Sequence, residues 1–534
     1  MQIQTQIQVR VNEEGALRNQ RYAFTDRLTL VTELLQNARR AGATRIDVDY
    51  DATTQRLRIT DNGRGIEDFQ KLLVFNESGW DDATQQHEHP FGIGFSKCLY
   101  SAMRCLIRSG DRFIDFLSAD ALVKQMINVY LDTTAHIKGT QIELFEVDLP
   151  ELSDRIGPLC AGFPVEVIYN GKPLDRPYAQ DRLESIRSTI GEVHLVGTLS
   201  GNHADEMLVF LQGFRVYYPR FYSPARVNVV HLDPERFMAR LPDRDKLIDE
   251  RDQIKLIDAE IKQQWRSILE VAKQKLSPRQ FVDRYHSAMR NFDHLDLLND
   301  LDVLPRGVCS AICDYPVMGN DVPDDFLDSH IDPPDRESID NGSIVVAELD
   351  GVHEENTAHW MFARAKGFVV GDSYMLHENH WLHDKIRKLS EEMIGLEPVG
   401  TPLHAHFSGT WVAANLVLCD AVCLRVGDDM VDIDKDAVYH GGVIFVPAGE
   451  TSGDVVGQIS SYVDAYDCFR KYEKNTDVDD LSDLIRRLRS VDPQETLVSL
   501  LQPLKLEKYP VLHGKAFRVS VDGQATTHSI ELIE

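Results

Sequence analysis

Apolar and polar positions alternate along several short segments of the first 150 residues, and period two is typical of half-buried strands. Apolar residues at helical spacing in "TELLQNARRA" instead predict a helix, which begins at a Thr25 or Asp26 cap and ends near Arg40. A second helix opens in "PFGIGFSKCLYSAMRC". The strand-like segments are "QIQTQIQV", "RIDVDYD", "RLRITDNG", "FIDFLSA", "QMINVYLD" and "GTQIELFEV". We therefore expect an α+β sandwich over residues 1–155, with a mostly antiparallel sheet and helices on one face.

The pattern changes beyond this point. Residues 156–290 contain further strand-like segments and then one long helical segment that starts within "LPDRDKLIDERDQIKLIDAEI", which predicts a second domain. Residues 291–342 are rich in Asp and Pro and predict an acidic linker or long loop. Residues 343–534 predict a mixed α/β region that we leave unassigned. The strand-like segments of the second domain are "PVEVIYNGKPL", "EVHLVGTLS", "EMLVFLQGFRVYY" and "ARVNVVHLD".

The composition is that of a globular protein. Hydrophobic residues make up 43% of the 534 residues and charged residues 27%, as in ordinary globular proteins. No apolar run approaches the ~20 residues of a bilayer span, and the first residues lack signal-peptide features, so we expect a cytoplasmic protein without a membrane partner. The eight scattered cysteines predict reduced thiols.

The net charge of −28 lies mainly in the C-terminal part of the chain. Residues 291–534 contain 44 Asp and Glu against 19 Lys and Arg. Such a surface repels phosphate backbones. This part of the chain is therefore expected to contact a protein client or partner rather than nucleic acid.

Four short elements carry candidate chemistry. Glu33 and Asn37 are one helical turn apart and so share a helix face. A neutral amide oxygen suits Mg²⁺, and a carboxylate one turn away can take a proton from a positioned water. The other elements are "DNGRGI" at 61–66, "FGIGF" at 91–95 and "GT" at 139–140. Their glycines allow a backbone to approach a base or direct N–H groups at phosphates, and ordinary turns are the alternative.

The order and spacing of these elements resemble the ATP-binding domain shared by type II topoisomerases, Hsp90 chaperones, histidine kinases and MutL proteins. "ELLQNARRAGATRIDVDYD" and "LRITDNGRGI" are similar to the MutL form, and "PFGIGFSKCLYSA" to the Hsp90 form. The resemblance implies a Bergerat-type fold that binds ATP and Mg²⁺. It implies that Glu33 activates the attacking water, that Asn37 ligates Mg²⁺ and that Asp61 accepts a hydrogen bond from the adenine amino group. The remaining nucleotide-binding positions are Gly63, Gly65, Ile66, Gly92, Ile93, Gly94, Phe95, Lys97 and Thr140.

Three positions near these motifs carry alternatives. Lys97 either adds charge near the phosphates or is a solvated surface lysine. The loop "NESGWDDATQQHEHP" fits a mobile lid, and its Trp80 is alternatively a packing anchor. Arg40 stands where many relatives have an acidic residue, which puts the polar network around the metal and base positions in doubt.

The second domain resembles the ribosomal-protein-S5-like transducer domain of Hsp90-type ATPases. "LPDRDKLIDERDQIKLIDAEIKQQWRSILEV" is similar to the segment that supplies an arginine to the γ-phosphate, and Arg244 matches that arginine. Lys246 is the fallback, because other relatives use a lysine from a neighbouring loop. Local ion pairs at a helix start are the alternative for "DRDK".

Two further groups suggest metal sites but fit them poorly. His377, His380 and His383 at three-residue steps drift around a helix, and His404 and His406 flank an alanine. Cys309 with Cys313 and Cys419 with Cys423 have a CxxxC spacing, which is wider than that of the usual zinc knuckle. The segment "LVLCDAVCLRV" predicts a buried strand. We predict structural histidines and cysteines.

The sequence thus predicts an Mg-dependent ATPase that drives conformational change, as an Hsp90-like clamp or chaperone-like enzyme. The alternatives are a MutL- or MORC-like DNA-processing ATPase and a non-hydrolysing ATP-binding interaction module. A histidine kinase is disfavoured because those proteins place a dimerisation helix pair before the ATP domain, and only about 20 residues precede the first predicted helix here. The resemblance also implies an ATP-dependent homodimer that exchanges the N-terminal "MQIQTQIQVR".

Overall fold

A computed structural model describes two compact units, residues 1–294 and residues 295–534. The structure describes residues 8, 12–20, 22, 26–74, 80, 84, 95–240, 243–317, 322–351, 356–501, 504–522 and 528–533. The predicted N-terminal strand "QIQTQIQV" lies almost entirely outside the described residues. Among the described helices, none combines the length and apolar character needed to cross a membrane.

Most described helices are short, and the two longest lie at the end of the first unit and in the second unit. The first unit contains α1 (Glu13–Gln20), α2 (Thr29–Arg40), α3 (Ser96–Ser101), α4 (Ser118–Leu122), α5 (Leu152–Cys160), α6 (Glu250–Lys275) and α7 (Pro278–Asn291). The second unit contains α8 (Pro323–Phe326), α9 (Arg336–Asp340), α10 (Thr357–Ala365), α11 (Lys471–Arg489) and α12 (Pro493–Leu501).

The strands form several mixed sheets. Those of the first unit are β1 (Arg45–Asp51), β2 (Arg56–Asp61), β3 (Arg104–Gly110), β4 (Arg112–Leu117), β5 (Val129–Leu131), β6 (Ile137–Phe145), β7 (Glu166–Tyr169), β8 (Lys172–Pro173), β9 (Ile186–Ser188), β10 (Gly191–His194), β11 (Met207–Leu211), β12 (Phe214–Tyr217) and β13 (Asn228–Leu232).

The strands of the second unit are β14 (Cys309–Ile312), β15 (Leu327–Asp328), β16 (Val346–Glu348), β17 (Val369–Gly371), β18 (Arg387–Lys388), β19 (Ile394–Val399), β20 (Leu403–Ser408), β21 (Ala413–Leu418), β22 (Ala421–Val426), β23 (Asp429–Ile433), β24 (Val438–His440), β25 (Val443–Val446), β26 (Phe517–Val521) and β27 (His528–Leu532). The predicted α+β class is confirmed.

The first sheet has eight strands in the order β5-β4-β3-β6-β2-β1-β7-β8. Alternate residues such as Ile46, Val48, Leu57 and Ile59 are buried in one core with the apolar faces of α2, α3 and α5. The intervening positions carry cross-strand ion pairs, for example Arg58 Nη2 to Asp49 Oδ2 at 2.7 Å. Period-two patterning therefore produces one apolar face that packs on helices and one polar face.

The segment "PVEVIYNGKPL", which the sequence assigned to the second domain, belongs to the first sheet. β7 pairs in parallel with β1, with Ile46 opposite Val167. Val167 is fully buried in the first core. The first sheet therefore extends about 20 residues beyond the predicted boundary at residue 155, because the apolar alternation of this strand fits the α2–α5 core.

A second sheet of five strands, β12-β11-β13-β10-β9, follows in the first unit. Its central strands β11 and β13 are buried along their whole length. α6 and α7 follow this sheet in the chain, and Trp265 stacks on Phe292 with ring centroids 5.0 Å apart. A capping box between Ser277 and Gln280 begins α7. The sequence predicted one long helical segment here and not this separate helix.

The second unit contains four further sheets and no extended linker among its described residues. Residues 291–342, predicted as a linker or long loop, carry β14, β15, α8 and α9, with buried Leu298, Val308 and Cys309. "LVLCDAVCLRV", predicted as one strand, is two strands, β21 and β22, in different sheets. Cys419 and Asp420 separate them because the chain turns there from one sheet to the next.

A fully buried aspartate anchors one loop of the second unit. The Asp477 carboxylate on α11 accepts hydrogen bonds from the backbone N–H groups of Thr410, Trp411 and Val412 at 2.5–3.0 Å. It also accepts one from the Tyr462 hydroxyl at 2.8 Å. A buried charge needs such partners, so this carboxylate has a structural role.

Candidate nucleotide site

Helix α2 places the first pair of candidate residues. Leu30, Leu34 and Leu35 are buried in the first core and fix the orientation of the helix. Glu33 and Asn37 then share the neighbouring face, as the sequence predicted. The described part of the chain offers the Asn37 carboxamide no hydrogen-bond partner, so its oxygen is available to a hard cation.

Glu33 is buried, with only 6% of its surface exposed. Arg244 is its charge partner, and Arg244 Nε lies 3.0 Å from Glu33 Oε1. This is a charge contact rather than an aligned hydrogen bond, because Nε has no hydrogen-bond partner of good geometry. A buried carboxylate requires a neutralising partner. The structure thus brings the two predicted catalytic residues into direct contact.

The segment that carries Arg244 contacts α2 directly at one further point and through Gln212 at another. The Thr29 hydroxyl donates to Asp243 Oδ1 at 2.6 Å. Gln36 Nε2 donates to Gln212 Oε1 at 2.5 Å, and Arg244 Nη1 donates to the same oxygen at 3.3 Å. Three successive turns of α2 therefore hold the Arg244 segment and the β11–β12 turn.

The sequence alone did not predict these supporting residues, because none of them belongs to a motif. A signal was present in α2 itself: Thr29, Thr32 and Gln36 are polar yet buried, at 3%, 8% and 1% exposure. A helix with polar residues on both sides of its apolar stripe indicates a second packed surface. Lys246, the fallback for Arg244, is exposed and remains a prediction.

Asp61 lies at the end of β2, opposite Thr140 on β6. Its carboxylate is 8% exposed, and Oδ1 accepts a hydrogen bond from the Gly63 N–H at 2.8 Å. Burial raises the pKa of the Asp61 carboxyl above its ordinary value, and hydrogen bonds from the Gly63 and Thr140 backbones oppose part of that rise. A buried carboxylate with a remaining oxygen suits a ligand that donates hydrogen bonds.

The glycines of "DNGRGI" are required because neighbouring atoms of the protein lie too close for a side chain. A Cβ on Gly63 would lie 2.8 Å from the Ala41 carbonyl oxygen at the end of α2. Gly65 has φ +80°, and a Cβ there would lie 2.6 Å from Ser109 Oγ. Ser109 Oγ accepts from the Ile66 N–H at 2.8 Å and donates to the Gly139 carbonyl at 2.8 Å. Two of the three predicted glycine motifs, "DNGRGI" and "GT", therefore meet through Ser109.

Asn62 joins this loop to the turn after α2. Its Oδ1 accepts from the backbone N–H groups of Thr44 and Arg45 at 2.8 and 3.1 Å, and its Nδ2 donates to Thr44 Oγ1 at 2.8 Å. Asn62→Ala is expected to cost about 1–2 kcal/mol of stability and to weaken nucleotide binding, because the loop that holds Asp61 loses its anchor.

Thermal unfolding and nucleotide titration check this prediction. Asn170→Gly is the matched control, since Asn170 Oδ1 accepts from the Tyr50 N–H at 2.8 Å on the same sheet and its φ of 46° suits glycine. The control is expected to lower stability without changing nucleotide affinity. Equal affinity losses in both variants would contradict the prediction.

Lys97 lies in the first turn of α3 and is 8% exposed, so the solvated surface alternative is wrong. Desolvation lowers the pKa of Lys97, and the charges of Asp243 and Asp26 oppose that shift. Phe95 is buried directly before α3.

Some predicted positions cannot be compared with the structure. Gly92, Ile93 and Gly94 lie outside the described residues, as does most of the predicted lid. Trp80 is described, and the Arg64 guanidinium lies 5.0 Å from its ring centroid.

The histidine and cysteine groups stand apart from this site. His383 Nε2 contacts the His377 carbonyl at 2.9 Å, and His377 Nδ1 lies 3.1 Å from Asn299 Nδ2. Buried His380 has a pKa lowered to about 4, mainly by desolvation. Within the described residues no group of three His, Cys, Asp or Glu side chains could hold a metal ion. All eight cysteines are free.

Comparisons with known proteins add little to this geometry. No protein-family model matches the chain, and no curated protein matches it. One solved structure that it resembles is described as the crystal structure of the N-terminal domain of a DNA repair protein. That neighbour is 14% identical, covers 48% of this chain and 98% of its own length, and has a TM-score of 0.31. At this score the likeness carries no argument about function.

Proposed function

We propose that the first unit binds Mg·ATP between α2 and the end of the β2–β6 strand pair where Asp61 and Thr140 lie, and hydrolyses it. The observation that carries the proposal is the buried contact between Glu33 of α2 and Arg244, with Asn37 one turn further along the helix. A surface ion pair would be solvated and weakly held. This pair is enclosed instead, as side chains that act on a bound ligand require.

Asp61 and its loop would recognise the base. One carboxylate oxygen is held by the Gly63 N–H, and an exocyclic amino group can donate to the carboxylate. Gly63 and Gly65 hold this loop close to Ala41 and Ser109, because neither position has room for a side chain. The Asp61 carboxylate and the Ser109-linked loop then favour adenine over bases that present a carbonyl.

Asn37 would hold the metal. Its carboxamide oxygen is neutral and has no partner in the described chain, which suits an ion that keeps several waters. When bound, Mg²⁺ neutralises phosphate charge and orients the phosphates for in-line attack. Lys97, buried in the first turn of α3, would supply a further positive charge.

Glu33 would take the proton of the attacking water, and Arg244 would bind the terminal phosphate. An arginine is always charged and has five N–H donors, so it can exchange a carboxylate for phosphate oxygens. While Arg244 contacts Glu33, the guanidinium is held on the carboxylate rather than on phosphate. Hydrolysis on this scheme begins when Arg244 moves from Glu33 to phosphate.

This scheme couples nucleotide state to conformation. Gln212 lies in the β11–β12 turn of the second sheet, and Arg244 follows that sheet in the chain. Glu33 and Gln36, in contrast, belong to α2 of the first core. We propose that the first sheet and its helices are of the Bergerat type and that the second sheet is of the S5-like transducer type. A protein client and an ATP-dependent homodimer remain predictions.

Calorimetry and phosphate release on the full chain test the proposal. Mg·ATP is expected to bind with measurable heat, and EDTA is expected to weaken binding strongly because Asn37 would hold the metal of the Mg·ATP complex. Phosphate release should require Mg²⁺ and exceed the rate without protein. Binding without release would support the non-hydrolysing module, and the absence of both binding and release would overturn the proposal.

A further inference from the structure

Gln212 lies at the tip of the β11–β12 hairpin in an uncommon backbone conformation. Leu211 pairs with Phe214, so Gln212 and Gly213 form a two-residue turn with φ values of 53° and 86°. Two positive φ values are typical of a type I′ turn, where Asn or Gly usually stands in the first position. A glutamine at this position therefore indicates that its side chain makes specific contacts.

The hairpin tip is rigidly placed. Leu211 and Phe214 are 6% and 5% exposed, and a Cβ on Gly213 would lie 2.6 Å from Pro164 Cδ. The carboxamide at the tip is thus fixed relative to the core beneath it. Its oxygen can orient a neighbouring group with little loss of side-chain freedom.

The Gln212 oxygen is shared by two donors from different parts of the first unit. Gln36 Nε2 of α2 donates at 2.5 Å, and Arg244 Nη1 donates at 3.3 Å. Arg244 itself has φ 55°, and its N–H donates to the Arg240 carbonyl at 2.9 Å. One neutral oxygen therefore joins α2, which carries the candidate general base Glu33, to Arg244.

Neutrality distinguishes Gln212 from Glu33 as a partner of Arg244. A carboxylate holds the guanidinium through charge and competes with phosphate for it. An amide oxygen orients the guanidinium through a weaker bond and leaves its charge available. The structure thus gives Arg244 one partner that phosphate must displace and one that can be retained.

We propose that Gln212 is a positioning residue that holds Arg244 for ATP hydrolysis. This inference rests on the proposed function, because Arg244 is assigned there to the terminal phosphate. Gln212 acts through Arg244 and Gln36 and contacts no reacting atom. Its loss should therefore lower the rate of hydrolysis more than the affinity for ATP.

Gln212→Gly is the sharpest test, since glycine keeps the positive φ and removes the side chain that carries the carboxamide. We expect kcat for phosphate release to fall about tenfold with KM within about twofold of wild type. In an Arg244→Ala background the same change should lower kcat much less, because the contact between Gln212 and Arg244 is then absent. Gln55→Gly is the matched control, as Gln55 has φ 49° in the exposed β1–β2 turn.

Hydrogen exchange of residues 243–249 in the nucleotide-free protein gives a second readout. Exchange should be faster in Gln212→Gly and unchanged in Gln55→Gly. Unchanged exchange, or an equal fall in kcat with and without Arg244, would overturn the role of Gln212. A wild-type chain that binds no ATP would overturn the proposed function instead, and exchange would still decide whether Gln212 holds the Arg244 segment.

Discussion

Replacing Glu33 with glutamine is expected to lower phosphate release at least about 100-fold while Mg·ATP still binds. Glutamine has the same size and stays within the packing of α2, but its amide cannot accept the proton of the attacking water. Because Glu33 is 6% exposed, bulk water is a poor substitute for it. Single-turnover phosphate release and calorimetry on the same preparation separate hydrolysis from binding.

Glu33→Gln also removes the counterion of Arg244, so the control must disturb the same interface and leave the base intact. Thr29→Val meets this need, since it breaks the hydrogen bond to Asp243 one turn earlier on α2. We expect its rate of phosphate release to stay within about threefold of wild type. A Glu33→Gln protein as active as Thr29→Val would remove Glu33 from the role of general base.

The part of the site that follows local rules was predictable from the sequence. Helical spacing placed Glu33 and Asn37 on one face of α2, whose C-terminus at Arg40 matches the prediction. Period-two alternation identified β1 and β2, and turn chemistry placed Asp61 at the end of a strand. These features depend on residues within a few positions of one another.

The part that depends on long-range contacts was not predictable. Gln212 lies 176 positions from Gln36, and no periodicity links them. β7 joined the first sheet because its buried Val167 matches the core beside β1, a contact between residues 121 positions apart. The pattern of a strand predicts which of its faces is apolar, but it does not predict which sheet the strand will join.

Asp61→Asn is expected to weaken Mg·ATP binding about 100-fold, which corresponds to the loss of a hydrogen bond to a charged acceptor together with a mismatched donor. Asparagine keeps an oxygen that can accept from the Gly63 N–H. Its amide nitrogen would then face the adenine amino group, and two donors cannot bond. Titration calorimetry of wild type and variant measures the difference.

The pH dependence gives this prediction a signature that general damage to the fold would not reproduce. Burial raises the pKa of Asp61, so the folded protein holds the Asp61 proton more tightly than the unfolded chain does. The stability contributed by this group is therefore fully present below its ordinary pKa and is lost as pH rises through the raised value. Adenine binding needs the ionised acceptor and should change in the opposite direction, weakening as pH falls through that value. The Asp61→Asn protein should lose both dependences, and a variant whose affinity still falls with pH as in wild type would show that another group accepts the adenine hydrogen bond.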